Sequence, residues 1–197
     1  MSKINWKREI FTIPNLLSLF RLILIPVYIV MYLNAVTPRD FYFCACVLTL
    51  SCITDMLDGQ IARRCNMISA VGKFLDPVAD KATQFAMTLC LAIRYPILWF
   101  VLILLVIKEL YQLIASSYWL KRGYMLKGAL MTGKICTTVL FVSLVFLVMF
   151  PTISLTVVKV IAIVDFLFLL VAFIHYVVTF SRIGPRFETV EDATTHE

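Results

Sequence analysis

The stretch TDMLDGQIARRCNMISAVGKFLDPVADK, residues 54–81, concentrates carboxylates in a chain that is otherwise very apolar. It holds four of the twelve acidic residues: Asp55, Asp58, Asp76 and Asp80. On a helix, the first two share one face at spacing i, i+3, and the last two share one at spacing i, i+4. Charges in apolar surroundings are costly unless protons, basic partners or cations offset them. The pattern therefore predicts that such a compensating group is part of this region.

The composition indicates that the whole chain lies in a membrane. Of 197 residues, 61% are hydrophobic and only 15% are charged, whereas a soluble domain carries roughly 25% charged residues. Apolar runs of about 20 residues, long enough to cross a bilayer, recur along the chain. We predict an all-α integral membrane protein, with six transmembrane helices around a polar cavity open to the cytoplasm and an interfacial helix at the N-terminus.

The predicted organisation is one membrane domain, residues 1–182, followed by a polar C-terminal tail, residues 183–197. The six predicted spans are residues 16–33, 41–63, 76–93, 96–120, 128–150 and 153–181. The sequence DPV at residues 76–78 is typical of a helix start, with Asp76 as the cap and Pro77 in the first turn.

The basic residues predict the orientation of these spans. If the N-terminus is cytoplasmic, eleven Lys and Arg residues lie in inside segments and two or three, namely Arg39, Arg94 and arguably Lys159, lie outside. This asymmetry predicts a multi-pass protein of the cell membrane with both termini in the cytoplasm. The net charge of +6 is then explained by topology and anionic lipid, so nucleic acid is not needed as a partner.

The residues around the carboxylates favour a metal site that handles phosphate. Gly59 and Ala62 share a helical stripe with Asp55 and Asp58, which makes that stripe acidic and free of bulk. Oxygen ligands favour Mg²⁺, Mn²⁺ or Ca²⁺ over zinc or copper. Four carboxylates fit two such ions, an arrangement suited to displacement at phosphorus.

The spacing of this stretch resembles the signature of the CDP-alcohol phosphatidyltransferase family, D-x2-D-G-x2-A-R-x8-G-x3-D-x3-D. The eight matching residues are Asp55, Asp58, Gly59, Ala62, Arg63, Gly72, Asp76 and Asp80. Six spans with cytoplasmic termini are similar to the architecture of that family as well.

The resemblance implies an integral membrane enzyme, usually a homodimer, that moves a phosphatidyl group from CDP-diacylglycerol to an alcohol and releases CMP. It implies that Asp55, Asp58 and Asp76 bind Mg²⁺ or Mn²⁺, with two ions in all. Asp80 would complete the second metal site and act as general base. The residues expected to bind CDP-diacylglycerol are Gly59, Arg63 and Ser69, and less directly Asn15 and Ser18.

The acceptor alcohol is less constrained by the sequence. The segments TIPNLLSLFRLILIPVYIV and GKFLDPVADK resemble the phosphatidylglycerophosphate synthase branch, whose acceptor is glycerol 3-phosphate. Lys108 and Lys134 are the candidate cations for its phosphate, because a lysine within a span is a candidate site residue by default. The alternative for Lys108 is a pair with Glu109 that locks helices together, and the alternative for Lys134 is an ordinary interfacial lysine.

Two departures from that branch keep other acceptors open. Ser116 and Cys136 stand where basic residues are common in the branch, which favours an uncharged or lipidic alcohol. A cardiolipin synthase using phosphatidylglycerol is therefore an alternative, as are enzymes for inositol phosphate, serine or an ether lipid. Asp165, in the last span, is predicted to pair with Lys159 or a cavity lysine, and His175 to be structural.

Other classes of protein also carry aspartates in membranes. A cation transporter is expected to place them near the midplane, often on broken helices in repeated halves. An intramembrane prenyltransferase normally has two separated aspartate-rich motifs. Here the aspartates lie in one stretch at one predicted interface, and no repeat is visible. The transferase is the interpretation that accounts for the glycines and Arg63 as well.

Overall fold

The computed structural model of the protein describes residues 13–64, 70–126, 131–181 and 187–189. This part of the chain contains six helices and two short strands. They are α1 (Ile13–Leu33), α2 (Pro38–Arg64), α3 (Ala70–Arg94), α4 (Leu98–Lys121), β1 (Tyr124–Leu126), α5 (Met131–Met149), α6 (Leu155–Ser181) and β2 (Phe187–Thr189). The fold divides into two compact units. Unit 1 holds α1, α2, α3 and Leu144–Ile153, and unit 2 holds Tyr95–Ser143, α6 and β2.

Four of the six helices are long and apolar enough to cross a membrane, counted over the residues that the structure describes. They are α1, within Leu16–Leu33, and α4, α5 and α6. The prediction of a multi-pass helical membrane protein is therefore confirmed. Six spans and a polar cavity stay predictions, and the N-terminal interfacial helix falls on residues outside the described part.

In unit 1, α1 packs against both α2 and α3. Aromatic rings fill one end of this contact, with centroids 5.7 Å apart for Tyr28 and Tyr32 and 5.3 Å apart for Tyr32 and Phe41. The guanidinium of Arg94 lies 4.3 Å from the centroid of the Phe41 ring and donates to the carbonyl of Pro151, at 3.2 Å. The last residue of α3 thus contacts both the start of α2 and the segment after α5.

A carboxylate caps the turn that leads from α1 into α2. Oδ2 of Asp40 accepts hydrogen bonds from the backbone N–H groups of Thr37, at 2.7 Å, and Val36, at 3.0 Å. These bonds, that of Thr37 first, lower the pKa of the exposed Asp40 carboxyl below its usual value. They satisfy the amides of the two residues that precede the helix, as the third-residue carboxylate of a capping box does.

Helix α3 begins at Ala70, six residues before the predicted cap, so the assignment of Asp76 as a helix cap is wrong. Pro77 lies inside the helix and removes only one internal hydrogen bond. An earlier start satisfies the backbone groups of several more residues, which matters in apolar surroundings where water cannot do so. As a result, Asp76 and Asp80 both project from within one helix, one turn apart.

In unit 2, α4 packs against α6 through aromatic side chains. Tyr111 meets Phe173 edge to face with centroids 5.5 Å apart, and Nε1 of Trp119 donates to the carbonyl of Phe180, at 2.9 Å. Beyond these helix ends, β1 and β2 form an antiparallel ribbon in which Tyr124 faces Thr189. The sequence predicted neither strand, and β2 lies within the predicted polar tail.

A buried carboxyl joins α5 to α6. Asp165 is 1% exposed, and the hydroxyl of Ser143 lies 2.8 Å from its Oδ1 and 2.7 Å from its Oδ2. The expected pairing with Lys159 or another lysine is wrong: the contact of Asp165 is a hydroxyl. A short polar partner from the adjacent helix satisfies this carboxyl without a second buried charge.

Replacing Ser143 tests this contact. Ser143→Ala removes the hydroxyl from a buried carboxyl and is expected to lower the free energy of unfolding by about 1–3 kcal/mol. Asp165→Asn should cost less, since an amide still bonds to the hydroxyl. The measurement is unfolding in detergent followed by tryptophan fluorescence, with the exposed Ser116→Ala as matched control. Equal stability of Ser143→Ala and Ser116→Ala would show that the contact contributes nothing.

Candidate functional site

Polar side chains of α1 and α3 meet in unit 1. The hydroxyl of Ser18 donates a hydrogen bond to Oδ1 of Asp76. The guanidinium of Arg21 contacts both aspartates of α3, with Nη2 at 3.8 Å from Oδ1 of Asp76 and Nη1 at 3.9 Å from Oδ1 of Asp80. Ser18, Asp76 and Asp80 were predicted as site residues, and Arg21 was not.

The members of this cluster differ sharply in exposure. The side chain of Arg21 is 2% exposed, whereas those of Asp76 and Asp80 are 44% and 69% exposed. The guanidinium is therefore enclosed by protein, whereas both carboxylates reach the surface. A buried charge needs an opposite partner, and the fork of arginine suits two carboxylates at once. At 3.8 and 3.9 Å the contacts are ion pairs and not close hydrogen bonds.

Helical spacing explains why these four side chains meet. Ser18 and Arg21 are three residues apart on α1, and Asp76 and Asp80 are four apart on α3, so each pair occupies one helix face. The two faces come together where α1 packs against α3. An arginine within an apolar span, one turn after Ser18, is the signal that could have identified Arg21 from the sequence.

The other predicted site residues fall where less is described. Asn15, Asp55, Asp58, Gly59 and Arg63 lie in α1 or α2, and their side chains are outside the described part. Ser69 lies outside it altogether. Helix α2 continues through Gly59 to Arg64, which confirms the i, i+3 spacing of its two aspartates.

The described carboxylates fit a hard divalent cation. Asp76 and Asp80 offer oxygen ligands only, are largely exposed and lie one turn apart on α3. Among the described side chains, no three His, Cys, Asp or Glu residues lie close enough together to hold a metal ion. The predicted convergence of Asp55 and Asp58 with α3 stays a prediction, because their side chains lie outside the described part.

The two candidate acceptor lysines lie in unit 2 and differ in environment. Lys108 is 1% exposed, and its Nζ lies 2.6 Å from Oε1 of Glu109. Because both residues belong to α4, this pair does not itself lock two helices. Contact with α6 comes instead from the ring of Tyr176, whose centroid is 5.6 Å from Nζ of Lys108. Lys134, on α5, is exposed.

The first turn of α5 packs closely on α6 around these lysines. Oγ1 of Thr132 lies 2.7 Å from Nδ1 of His175, so this histidine takes part in the helix contact. Gly133 faces Tyr176: a Cβ at position 133 would lie 2.5 Å from the tyrosine hydroxyl oxygen. Gly133, in the segment TGK, leaves room for the side chain of Tyr176. This close approach of α5 to α6 positions the adjacent Lys134.

An apolar pocket of about 220 Å³ also lies in unit 2. Its lining is made only of apolar side chains, among them Phe100, Ile163 and Phe166. A phosphate group needs charged or hydrogen-bonding partners, so this pocket does not suit a phosphorylated acceptor.

Gly133 provides a test of the α5–α6 contact. Gly133→Ala is expected to displace Tyr176 and to lower thermal stability, because the added Cβ would overlap the hydroxyl oxygen. Gly133→Ala combined with Tyr176→Phe should recover part of the loss, since the closest atom is gone. Unfolding of the single and double variants measures this. A double variant less stable than the sum of the single effects would contradict the packing described.

The sequence that forms these two units matches one known protein family. Residues 11–181 match the CDP-alcohol phosphatidyltransferase family. The chain therefore belongs to that family, and the resemblance seen in the sequence is confirmed.

Two individual relatives match the chain over shorter stretches. The chain is 46% identical over 71 residues to the CDP-diacylglycerol–glycerol-3-phosphate 3-phosphatidyltransferase of Escherichia coli K12, a match covering 36% of this chain and 38% of the relative. It is 39% identical over 88 residues to a cardiolipin synthase (CMP-forming)/mitochondrial hydrolase fusion protein of Schizosaccharomyces pombe, covering 45% of this chain and 14% of the relative. The chain thus spans less than half the length of each of these relatives.

Proposed function

We propose that the protein transfers a phosphatidyl group from CDP-diacylglycerol to glycerol 3-phosphate, giving phosphatidylglycerophosphate and CMP. The observation that carries the proposal is the cluster of Ser18, Arg21, Asp76 and Asp80, in a chain that matches the family over residues 11–181. The relative from E. coli, which carries the name of this activity, supports the acceptor.

Mg²⁺ or Mn²⁺ is the proposed cofactor, with two ions held by Asp55, Asp58, Asp76 and Asp80. Ions held by these carboxylates would supply positive charge to the pyrophosphate of the donor and to the leaving CMP. Arg63 adds a charge-assisted contact to the same pyrophosphate. Gly59 and Ser69, with Asn15 and Ser18, complete the proposed contacts to CDP-diacylglycerol.

Asp80 is the proposed general base. It accepts the proton of the acceptor hydroxyl while the acceptor oxygen bonds to phosphorus and the bond from phosphorus to CMP breaks. A carboxylate is a weak base for a hydroxyl, so Asp80 depends on being held within hydrogen-bond reach of it. Its side chain is 69% exposed, which leaves it accessible to a polar acceptor.

The membrane setting suits this chemistry. We place both termini and the reacting groups on the cytoplasmic side of the cell membrane, on the basis of the basic residues counted above. The acyl chains of the donor then stay in the bilayer while its headgroup reacts at the interface. A homodimer is the proposed assembly, on the strength of the family alone.

Lys134 and Lys108 are the proposed cations for the acceptor phosphate. Exposure of Lys134 supports its role, since phosphate can reach it without disrupting other contacts. Lys108 already contacts Glu109, at 2.6 Å, so it would have to be shared between that carboxylate and the phosphate. We therefore assign the larger share of acceptor binding to Lys134.

The first test concerns the carboxylates. Asp80→Asn should abolish CMP release from CDP-diacylglycerol while much of the Mn²⁺ binding remains, because an amide is no base and Asp80 is proposed only to complete the second metal site. Asp55→Asn should lose both, because Asp55 is proposed as a metal ligand in its own right. The matched control is Asp40→Asn, an exposed aspartate of α2 outside the site, which should retain full turnover. Full activity in Asp80→Asn would refute its assigned role.

The second test concerns the acceptor. A charge-assisted contact to phosphate contributes roughly 1.5–3 kcal/mol, so Lys134→Gln should raise the KM for glycerol 3-phosphate by about tenfold or more. The KM for CDP-diacylglycerol should hardly change. Lys159→Gln, an exposed lysine of α6, serves as control. An unchanged acceptor KM in Lys134→Gln would remove this residue from the acceptor site.

A cardiolipin synthase is the second candidate. It is supported by the relative from S. pombe and by the Lys108–Glu109 pair, which cancels one of the two acceptor cations. The absence of basic residues at Ser116 and Cys136 points the same way. Supplying glycerol 3-phosphate, phosphatidylglycerol, inositol phosphate and serine in turn separates the candidates, and CMP release with phosphatidylglycerol alone would replace the first proposal by the second.

A further inference from the structure

We infer that Arg21 is a built-in counter-cation of the carboxylate site, which holds Asp76 and Asp80 together without metal and weakens the binding of divalent ions there. The inference rests on the proposed function, in which these aspartates hold Mg²⁺ or Mn²⁺. Arg21 is thus a positioning residue that acts through the two carboxylates and does not itself contact the substrate.

The position of the guanidinium supports this role. Its two terminal nitrogens each contact a different aspartate, at 3.8 and 3.9 Å, so one cation serves both carboxylates. The side chain extends from α1 and is 2% exposed, whereas the two carboxylates are 44% and 69% exposed. Ser18, one turn earlier on α1, donates to the same oxygen of Asp76 that Arg21 contacts. Helix α1 therefore holds that carboxylate by two contacts.

The charges decide the consequence for metal binding. Two carboxylates one turn apart repel each other, and Arg21 offsets that repulsion in the metal-free protein. The same positive charge repels a divalent cation that binds to these carboxylates, and it does so twice as strongly as it would repel a monovalent ion. Arg21 thereby stabilises the metal-free site and lowers its affinity for divalent cations.

A lysine cannot reproduce this arrangement fully. Its ammonium is a single point charge, whereas the guanidinium presents separate nitrogens to the two aspartates. Arg21→Lys keeps the charge and should therefore keep an affinity for Mn²⁺ within about threefold of the wild type. Arg21→Gln removes the charge and should bind Mn²⁺ about tenfold more tightly, as expected for one charge near a partly exposed site.

The experiment compares the wild type, Arg21→Lys, Arg21→Gln and the control Arg39→Gln, an exposed arginine of α2. The free Mn²⁺ signal in electron paramagnetic resonance gives the dissociation constant, and melting in EDTA and in saturating Mn²⁺ gives the stability of each state. Arg21→Gln should melt lower than the wild type in EDTA and recover in Mn²⁺. Arg39→Gln should match the wild type in both.

A role in packing alone would lower both melting temperatures equally and leave the dissociation constant unchanged, which would overturn the inference. Weaker Mn²⁺ binding in Arg21→Gln would overturn it as well. If Arg21→Gln does not fold, the variant that also carries Asp80→Asn decides, since it restores the balance of charge. Folding of the double variant supports the counter-cation, and its failure to fold overturns it.

The outcome for the proposed function is separate. CMP release is measured on the wild type in the same preparations. A wild type that neither binds Mn²⁺ nor releases CMP refutes the proposed function. A wild type that does both, with Arg21→Gln unchanged in Mn²⁺ affinity, refutes the inference on Arg21 alone.

Discussion

The buried guanidinium of Arg21 sets the arrangement of unit 1. A helix in apolar surroundings cannot leave a charge without an opposite partner, so α1 must present this residue to the aspartates of α3. That requirement fixes how α1 is rotated about its own axis. The tyrosines further along α1, Tyr28 and Tyr32, are then buried as well, and Tyr32 meets Phe41 of α2.

The same constraint recurs in unit 2 with different partners. Asp165 is satisfied by a hydroxyl, Lys108 by its neighbour in the chain, and His175 by Thr132. The contacts of Asp165 and His175 join α5 to α6, whereas the contact of Lys108 neutralises a charge within α4. Each of these three groups thus either joins two helices or is neutralised locally, and the contacts between helices carry the packing specificity.

Those features that depend on composition and short spacing could be predicted from the sequence. The helices agree with the predicted spans within a few residues except at the start of α3, because long apolar runs determine them. The spacing of Asp76 and Asp80 was predicted because it needs only one helix. The start of α3 was misjudged because proline after aspartate is a local sign of a helix start, and the demand to satisfy backbone groups overrides that sign.

Features that join distant parts of the chain could not be predicted in this way. Arg21 was visible as a charge in an apolar span, but its partners lie on α3, and no short-range pattern connects them. A lysine was expected as the partner of Asp165, whereas its partner in the structure is the hydroxyl of Ser143. Strands as short as β1 and β2 carry no periodic signal of their own.

The β1–β2 ribbon has a consequence for biosynthesis. Because β2 follows α6 in the chain, β1 gains this strand partner only after α6 has been translated. The pairing of β1 therefore forms later than the helices that the structure describes. Insertion of these helices and closure of the ribbon are thus separate stages.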